Sequence, residues 1–388
     1  MPGEDDAISR DPFRERLAAA GAATLGAVQA VEAALRRLDP EALPAADADL
    51  AGRIAELERV VAALRDGDAP EGLVGLRDDL AAAGAHALDA LRGLAAARGP
   101  DAVPRVLGAM RAHARALERL YPLRRIFPPI GRHFAEPPLW DDLEALDPEP
   151  PPGASVGLHR AGGDADARGG FTLYVPERYT PERAWPLVVA LHGAWGHGAD
   201  FVWTWLREAR SRGFLLLAPT SRGTTWSLDA PARDARALRA MLDFVAERWR
   251  VDRARLLLTG LSDGGTFALL AGLEEDAPWT ALAPGACVLH PAAFAAGLGP
   301  SRGRRILWTH GARDWMFPVA LARAACDALR DAGADVTLRV VEDLGHGWAR
   351  EENDRILRWF DPSLGPDASL ALREQHDAPL VDRLQTLA

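Results

Sequence analysis

The spacing of apolar residues changes once along this chain, near residue 150, and that change constrains the fold more than any other feature. In residues 11–134, Leu, Ile and Val recur at steps of three and four, which is typical of amphipathic helices. From about residue 155, short runs of Val, Ile and Leu alternate with longer helical patterns, as in a mostly parallel sheet with crossover helices. The sequence therefore predicts an all-α domain followed by an α/β domain.

The first domain is predicted as an antiparallel helical bundle over residues 1–135. Asp11 and Pro12 suit the N-cap and first position of a long helix, and Asp39-Pro40 would end it. Three further apolar stripes follow, joined by short loops rich in Pro, Gly and Asp. Residues 136–154 hold many prolines and predict a semi-rigid linker. We predict a catalytic domain over residues 155–362 and a C-terminal tail over residues 363–388.

Composition excludes several functions. A formal net charge of −10 argues against nucleic acid as the main partner, because such binding depends on cations that neutralise phosphates. Every basic residue is Arg, which removes Schiff-base and Ser–Lys mechanisms that need a lysine amine. The only cysteines, Cys287 and Cys326, suit buried thiols. An acidic start without a signal-peptide pattern, and no apolar run near 18 residues, predict a cytoplasmic protein without a membrane span.

The second domain carries the strand signals. Seven short apolar runs predict strands at Phe171–Val175, Leu187–Leu191, Phe214–Ala218, Leu256–Thr259, Ala286–Leu289, Ile306–Thr309 and Val336–Val341. Helical patterns between them predict helices at Arg233–Arg250, Ser262–Leu273, Val319–Ala332 and Trp348–Phe360.

A G-x-S-x-G sequence at residues 260–264 stands between an apolar run and a helical pattern. Where a strand turns sharply into a helix, the serine adopts a strained backbone conformation, and flanking glycines remove the Cβ clashes that would forbid it. Ser262 would then stand at the carboxyl end of the sheet, beside a helix N-terminus that favours negative charge. This context predicts a nucleophile, although a purely structural glycine turn has the same pattern.

A serine hydroxyl needs a base, and the base needs an acid that orients it. Asp314 follows the predicted strand Ile306–Thr309, and His346 follows the last predicted strand between two glycines. Either could be an ordinary loop residue. The order Ser, Asp, His, with each residue behind a separate strand, resembles that of hydrolases whose serine stands on a strand-to-helix turn. The sequence therefore predicts a catalytic triad.

An oxyanion hole requires two donors near the nucleophile. The backbone N–H of Asp263, next to the nucleophile, is one candidate, and the N–H of Ala194 is the other, with Gly193 allowing close approach. Residues predicted to bind substrate are Gly193, Trp195, Trp226, His290 and Trp315, with the tryptophans forming an aromatic wall. No metal or nucleotide motif is present, so no cofactor is predicted.

Together these motifs resemble the phospholipase/carboxylesterase branch of the α/β-hydrolases, which is similar to polyhydroxybutyrate-depolymerase-like and feruloyl-type esterases. The resemblance covers about residues 155–362 and rests on Tyr174-Val175-Pro176, the run to Gly193, the serine motif, and the Asp314 and His346 segments. It implies an α/β-hydrolase fold, a Ser-His-Asp triad and a small-molecule ester or thioester substrate. Asp263 departs from the neutral residue that is commoner in the family.

Several alternatives stay open at this level. A thioesterase, an amidase or peptidase, and an acyltransferase share the same triad. From another class, the chain could be a binding or assembly protein that works through its acidic helical domain. That domain could also cap the cleft, dock another protein or mediate homo-oligomer formation.

Overall fold

The computed structural model describes residues 11–36, 47–150, 152–163 and 167–365 of the 388-residue chain. They form two compact units, the first comprising the described residues up to 32 and from 47 to 132, and the second comprising residues 33–36 and the described residues from 133 to 365. Most of the predicted C-terminal tail lies outside the described residues.

The first unit is helical, as the periodicity predicts. Its helices are α1 (Pro12–Arg36), whose last turn from Ala33 belongs to the second unit, then α2 (Asp47–Asp66), α3 (Val74–Ala95) and α4 (Ala102–Leu120), with α5 (Pro128–His133) at the boundary. The backbone N–H of Phe13 donates to the Asp11 side chain at 3.0 Å, so Asp11 holds the first turn of α1 as expected of an N-cap.

Close helix packing explains the small residues of this unit. A Cβ on Gly84 of α3 would lie 3.1 Å from the Thr24 hydroxyl of α1, and a Cβ on Gly93 would lie 3.1 Å from the Cβ of Ala109 in α4. The predicted apolar stripes are largely buried, but Val103, which opens the fourth stripe, is 44% exposed. By length and mean hydropathy (1.3), α1 could also cross a bilayer, a test that the core helix of a soluble protein passes as well. The expectation that the chain has no membrane span stays a prediction.

The second unit is built on one mixed sheet. Its elements are β1 (Gly157–Ala161), β2 (Phe171–Val175), β3 (Trp185–Leu191), α6 (Gly198–Phe201), α7 (Leu206–Arg212), β4 (Leu215–Pro219), α8 (Ala232–Arg248), β5 (Val251–Leu261), α9 (Asp263–Gly272), β6 (Ala281–Gly285), α10 (Pro291–Ala296), β7 (Arg305–Gly311), α11 (Val319–Asp331), β8 (Asp335–Val341) and α12 (Asn353–Phe360).

Eight strands in the described residues follow the order β1-β2-β4-β3-β5-β6-β7-β8. The pairs β1–β2 and β2–β4 are antiparallel, and every later neighbour pairs in parallel. All seven residues of β3 are buried, as expected of a central strand covered on both faces. The carboxyl ends of β5, β7 and β8 therefore meet at one edge of the sheet.

Two strand predictions require correction. The sixth strand is Ala281–Gly285, so the predicted run Ala286–Leu289 follows the strand instead of forming it. The true strand reads Ala-Leu-Ala-Pro-Gly, and its small residues and Pro284 weaken the β signal that larger apolar residues give. The edge strand β1 carries His159 and Arg160 and was missed because edge positions tolerate polar side chains.

The proline-rich segment belongs to the second unit. Arg212 binds the Glu136 carboxylate at 2.5 and 2.6 Å, and Arg210 binds Asp147 at 2.5 Å. Arg210 is 1% exposed, so its charge is neutralised inside the protein. Two short 3₁₀ turns, at Pro137–Leu139 and Glu144–Leu146, lie within the segment that the composition predicts to be a linker.

Candidate active site

Ser262 stands where β5 turns into α9. Its φ of 56° is in the left-handed region, an uncommon conformation for a residue with a Cβ. Its backbone N–H donates to the carbonyl of Gly285 in β6 at 2.9 Å, which ties the turn to the sheet. A Cβ on Gly260 would lie 2.5 Å from the backbone carbonyl atoms of Gly264, so this turn closes only with glycine there.

His346 and Asp314 meet Ser262 at this edge. The Nε2 atom of His346 lies 3.0 Å from the Ser262 hydroxyl, and its Nδ1 atom lies 3.0 and 3.1 Å from the two Asp314 oxygens. With the proton on Nδ1, His346 donates to the Asp314 carboxylate, and Nε2 accepts from the serine hydroxyl. The three residues come from different loops, 84 positions separating serine from histidine.

The Asp314 carboxylate is fixed on a short turn. Its Oδ1 atom accepts the backbone N–H groups of Met316 at 3.0 Å and Phe317 at 2.8 Å. Burial acts to raise the pKa of Asp314, but the hydrogen bond with His346 and the Phe317 N–H hold that pKa below its ordinary value. The carboxylate is therefore ionised at neutral pH and favours the tautomer described above.

This strand order, with a serine turn after β5 and an acid and a histidine after β7 and β8, decides the fold. The second unit is an α/β-hydrolase fold. The hydrolase unit carries Ser262 on the sharp strand-to-helix turn that defines this architecture.

The loop after β3 lies against Ser262. A Cβ on Gly193 would be 3.4 Å from the Cβ of Ser262 and 3.5 Å from the Leu261 carbonyl oxygen. Asp263 opens α9, and a first-turn N–H has no carbonyl acceptor within its own helix. Ala194 follows Gly193 directly, so the two N–H groups predicted for the oxyanion hole belong to segments that flank Ser262.

The tryptophans and His290 differ in position. Trp195 and Trp315 are 55% and 40% exposed, and the Trp315 ring centroid lies 6.1 Å from that of His346. Trp226 is only 3% exposed, stacks on Phe267 in the core and donates from Nε1 to the His192 carbonyl, so it does not form an exposed wall. His290 caps α10, because its Nδ1 accepts the Ala292 N–H at 3.2 Å. The prediction that Trp226 forms part of the substrate wall is corrected accordingly, and the prediction that His290 contacts substrate stays a prediction.

Two residues near the site escaped the sequence analysis in their present roles. Thr225 donates to the Asp263 carboxylate at 2.6 Å, and no local motif marks it. His192 is 1% exposed; its Nδ1 lies 2.6 Å from the Gly193 carbonyl, and its Nε2 accepts the Ser221 N–H at 3.0 Å. Burial lowers the pKa of His192 to about 3, so its ring stays neutral and holds the loop of Gly193.

No group of three or more His, Cys, Asp or Glu within the described ranges is arranged to hold a metal ion. Both cysteines are buried and unbonded to one another. Burial raises the pKa of Cys287 well above its ordinary value and that of Cys326 to about 11, so both remain thiols at neutral pH.

No protein-family model matches the chain. The chain is 38% identical over 77 residues to oxidized polyvinyl alcohol hydrolase from Sphingopyxis sp. (strain 113P3), a match that spans 20% of each protein's length. Among solved structures, a thermostable esterase aligns with a TM-score of 0.41 and 19% identity over 52% of this chain and 61% of its own. The acetyl xylan esterase from Aspergillus awamori aligns with a TM-score of 0.43 and 14% identity, over 53% and 98%.

Proposed function

We propose that this chain is a serine hydrolase that cleaves carboxylic esters through an acyl-enzyme. The observation that carries the proposal is the position of the His346 imidazole, 3.0 Å from the Ser262 hydroxyl on one side and 3.0 Å from Asp314 on the other. A serine hydroxyl is a poor nucleophile by itself, and this arrangement supplies both the base and the group that orients it.

The reaction has two halves. Ser262 Oγ attacks the ester carbonyl carbon while its proton passes to His346 Nε2, and the tetrahedral intermediate carries a negative oxygen. The intermediate collapses to an acyl-serine ester, and the departing alcohol takes the proton from His346. Water then attacks the acyl carbonyl, gives a proton to His346 and releases the carboxylic acid, with the proton returned to serine. Asp314 stays ionised throughout and stabilises the imidazolium.

The negative oxygen needs donors, and we assign the backbone N–H groups of Asp263 and Ala194 to this role. The N-terminal end of α9 adds a favourable electrostatic potential at the same point. The neutral His192 ring supports the assignment. Its hydrogen bond to the Gly193 carbonyl fixes the peptide group that also carries the Ala194 N–H.

We propose the substrate-binding residues from the exposure of their side chains. Trp195 follows Ala194, Trp315 lies beside the imidazole, and both are well exposed aromatic rings. Exposed aromatic rings at a reaction centre favour substrates that bring an apolar acyl or aryl group. Gly193 would contact the substrate through its backbone, since it has no side chain to obstruct the approach of the substrate's ester carbonyl.

The substrate panel follows from these residues. Short- and long-chain p-nitrophenyl esters, an acyl thioester and an aminoacyl amide separate the hydrolase classes that share this triad. Oxidized polyvinyl alcohol belongs in the panel because the Sphingopyxis relative is named for it. We expect the esters to be cleaved fastest, and an aminoacyl amide cleaved faster than every ester would contradict the assignment.

The deciding experiment replaces the nucleophile. Ser262→Ala should lower p-nitrophenyl ester turnover by about 10⁶-fold and abolish labelling by a fluorophosphonate, with the fold intact. Ser301→Ala is a matched control, because Ser301 is also buried but hydrogen-bonds to Leu298 away from the site. Ester cleavage retained in the Ser262→Ala protein, or a native protein that no fluorophosphonate labels, overturns the proposal.

A cytoplasmic location is part of the proposal, and the two buried free thiols support it, since reduced cysteines are the rule in that compartment. Cell fractionation with the native chain tests it, and recovery in an oxidising extracellular fraction would contradict it.

We also propose that the helical unit mediates self-association. Leu73, Val103 and Ile126 are large apolar residues that are 40%, 44% and 56% exposed in that unit. Sedimentation of the native chain should give a mass above 41.7 kDa, and Val103→Glu should lower it. If the native protein is monomeric at every concentration, the proposal of self-association is contradicted.

A further inference from the structure

The loop that carries His346 is held by the last turn of α1. That turn, from Ala33, is part of the second unit, so the contact lies inside the hydrolase unit. The backbone N–H of Gly345 donates to the Arg36 carbonyl oxygen at 3.3 Å. A helix leaves its last carbonyl groups without partners in the helix, and the peptide next to His346 satisfies one of them.

The Arg36 side chain holds both ends of the same loop. Its guanidinium binds the two oxygens of Asp343 at 2.5 and 2.9 Å, and its Nε binds Glu351 at 2.6 Å. Asp343 lies three residues before His346 and Glu351 five residues after it. The planar Arg36 guanidinium therefore binds a carboxylate at each end of the loop, and the ammonium group of a lysine could not reproduce these paired hydrogen bonds.

The loop between these two carboxylates has no regular secondary structure. Residues 342–349 contain turns and bends but no helix or strand. On the α1 side, a Cβ on Gly347 would lie 3.0 Å from the Leu35 carbonyl oxygen, so the backbone approaches the helix closely. On the other side, the Arg313 N–H donates to the Leu344 carbonyl at 3.0 Å. The loop is thus enclosed between the turn of Asp314 and the end of α1.

We propose that Arg36 is a positioning residue, which by binding Asp343 and Glu351 keeps the His346 imidazole in reach of Ser262. This inference rests on the proposed function, because it gives His346 the role of base. Arg36 touches neither substrate nor the triad side chains. It acts through the loop, and a displacement of about 1 Å in a catalytic group costs roughly 10²-fold in rate.

The test compares Arg36→Ala with a matched control. Arg239 is similarly exposed (30% against 26%) and also binds two carboxylates, Glu274 and Asp276, but these lie outside the His346 loop. Arg36→Ala should lower kcat for p-nitrophenyl acetate and the rate of fluorophosphonate labelling by about 10- to 100-fold, with KM changed by less than about threefold. Arg239→Ala should leave both rates within about twofold.

Two further variants separate positioning from general stability. Arg36→Lys keeps the charge but loses the planar guanidinium with its several N–H donors, so its labelling rate should fall between the native and Arg36→Ala rates. Asp343→Asn combined with Glu351→Gln removes both carboxylates and should reproduce the loss with Arg36 present. This double variant carries the test if Arg36→Ala does not fold.

A native labelling rate in Arg36→Ala, or in the double variant, overturns the inference. So does a loss in Arg36→Ala no larger than that in Arg239→Ala at an equal drop in Tm. These results differ from a failure of the proposed function, in which the native protein itself would not be labelled.

Discussion

Thr225 donates a hydrogen bond of 2.6 Å from Oγ1 to the carboxylate of Asp263, the residue next to the proposed nucleophile Ser262. A carboxylate at this position opposes the negative charge that develops on the substrate carbonyl oxygen, because like charges repel strongly where water is scarce. The threonine hydrogen bond fixes the direction of that carboxylate. Asp263 also opens α9, where the helix dipole favours an acidic side chain.

The first prediction concerns this pair. Thr225→Val keeps the shape of the side chain but removes the donor, and we expect kcat to fall about tenfold, which corresponds to about 1.4 kcal/mol. Asp263→Asn removes the charge, so its kcat should stay at or above the native value. In the double variant, most of the loss caused by Thr225→Val should disappear, because no carboxylate is left to turn toward the oxyanion.

Steady-state kinetics with p-nitrophenyl acetate measure this coupling. Thr224→Val is the control, since Thr224 is the exposed neighbour of Thr225 and should tolerate the change. Additive losses in the double variant would show that the carboxylate direction has no part in the rate.

The second prediction tests the orienting acid. In Asp314→Asn, the amide oxygen is expected to keep the N–H groups of Met316 and Phe317, which turns the NH₂ group toward His346. The imidazole must then carry its proton on Nε2 and cannot accept from serine, so kcat should fall by about 10⁴-fold. Asp327→Asn, on the exposed side of α11, controls for the loss of one charge. A fall of less than tenfold in fluorophosphonate labelling would argue that another group orients His346.

Local sequence marks Ser262, Asp314 and His346, which the structure brings together, because each carries its own short signal. Ser262 has its glycine motif, and Asp314 and His346 each follow a run of Val, Ile or Leu that becomes β7 or β8. Arg36 shows what such signals miss, because it contacts residues more than 300 positions away, and no spacing predicts that pairing. Trp226 shows the opposite error, since a tryptophan that the sequence analysis assigned to the substrate wall packs in the core.

The same distinction applies to the fold. Strands with large β-branched or Leu side chains on both faces, such as β3, are predicted within about two residues because burial demands continuous apolar runs. The strand β6 was predicted at the residues that directly follow it, because Ala and Gly fill its crowded positions. A Cβ on Gly285 would lie 2.8 Å from the Trp348 ring, so tertiary packing selects a residue that propensity disfavours.

The third prediction is a pH dependence of stability that comes from His192. Burial lowers its pKa to about 3, from an ordinary value near 6.5, so the folded protein favours the neutral ring. The stabilisation is complete above about pH 6.5 and is lost as the pH falls toward 3, at up to about 1.4 kcal/mol per pH unit. In His192→Gln this contribution is absent, so the difference in unfolding free energy between native and variant should shrink on acidification.

Tryptophan fluorescence in urea measures this in the hydrolase unit alone, because all 12 tryptophans lie in the second unit. Parallel curves for the native protein and His192→Gln from pH 7 to 4 would contradict the burial of a neutral imidazole.

The fourth prediction concerns the serine turn. Gly260→Ala would place a Cβ 2.5 Å from the carbonyl carbon and oxygen of Gly264, and backbone atoms cannot move aside as a flexible side chain can. We expect the unfolding free energy of this unit to fall by about 3 kcal/mol. Gly299→Ala is the matched control, because no atom lies within 4 Å of its added Cβ, and its effect should stay within about 0.5 kcal/mol. Equal stability of the two variants, followed by tryptophan fluorescence, would refute the crowding argument.

The fifth prediction assigns substrate preference to Trp315. Its ring is 40% exposed and meets the His346 ring edge-on at 6.1 Å, so an apolar group bound near the imidazole would cover it. Burial of a large apolar side chain contributes about 1.5–3 kcal/mol. Trp315→Ala should therefore lower kcat/KM for p-nitrophenyl benzoate by at least about tenfold more than for p-nitrophenyl acetate.

The ratio of the two esters decides this, because any effect of Trp315 on the orientation of His346 lowers both rates equally and cancels. Leu321→Ala is the control, since Leu321 is 50% exposed on α11 and should leave the ratio unchanged. A Trp315→Ala enzyme with the native ratio but a lower rate on both esters would assign the ring to the imidazole contact instead of the substrate. The aromatic contact would then act on the base, in the same way as the loop that Arg36 holds.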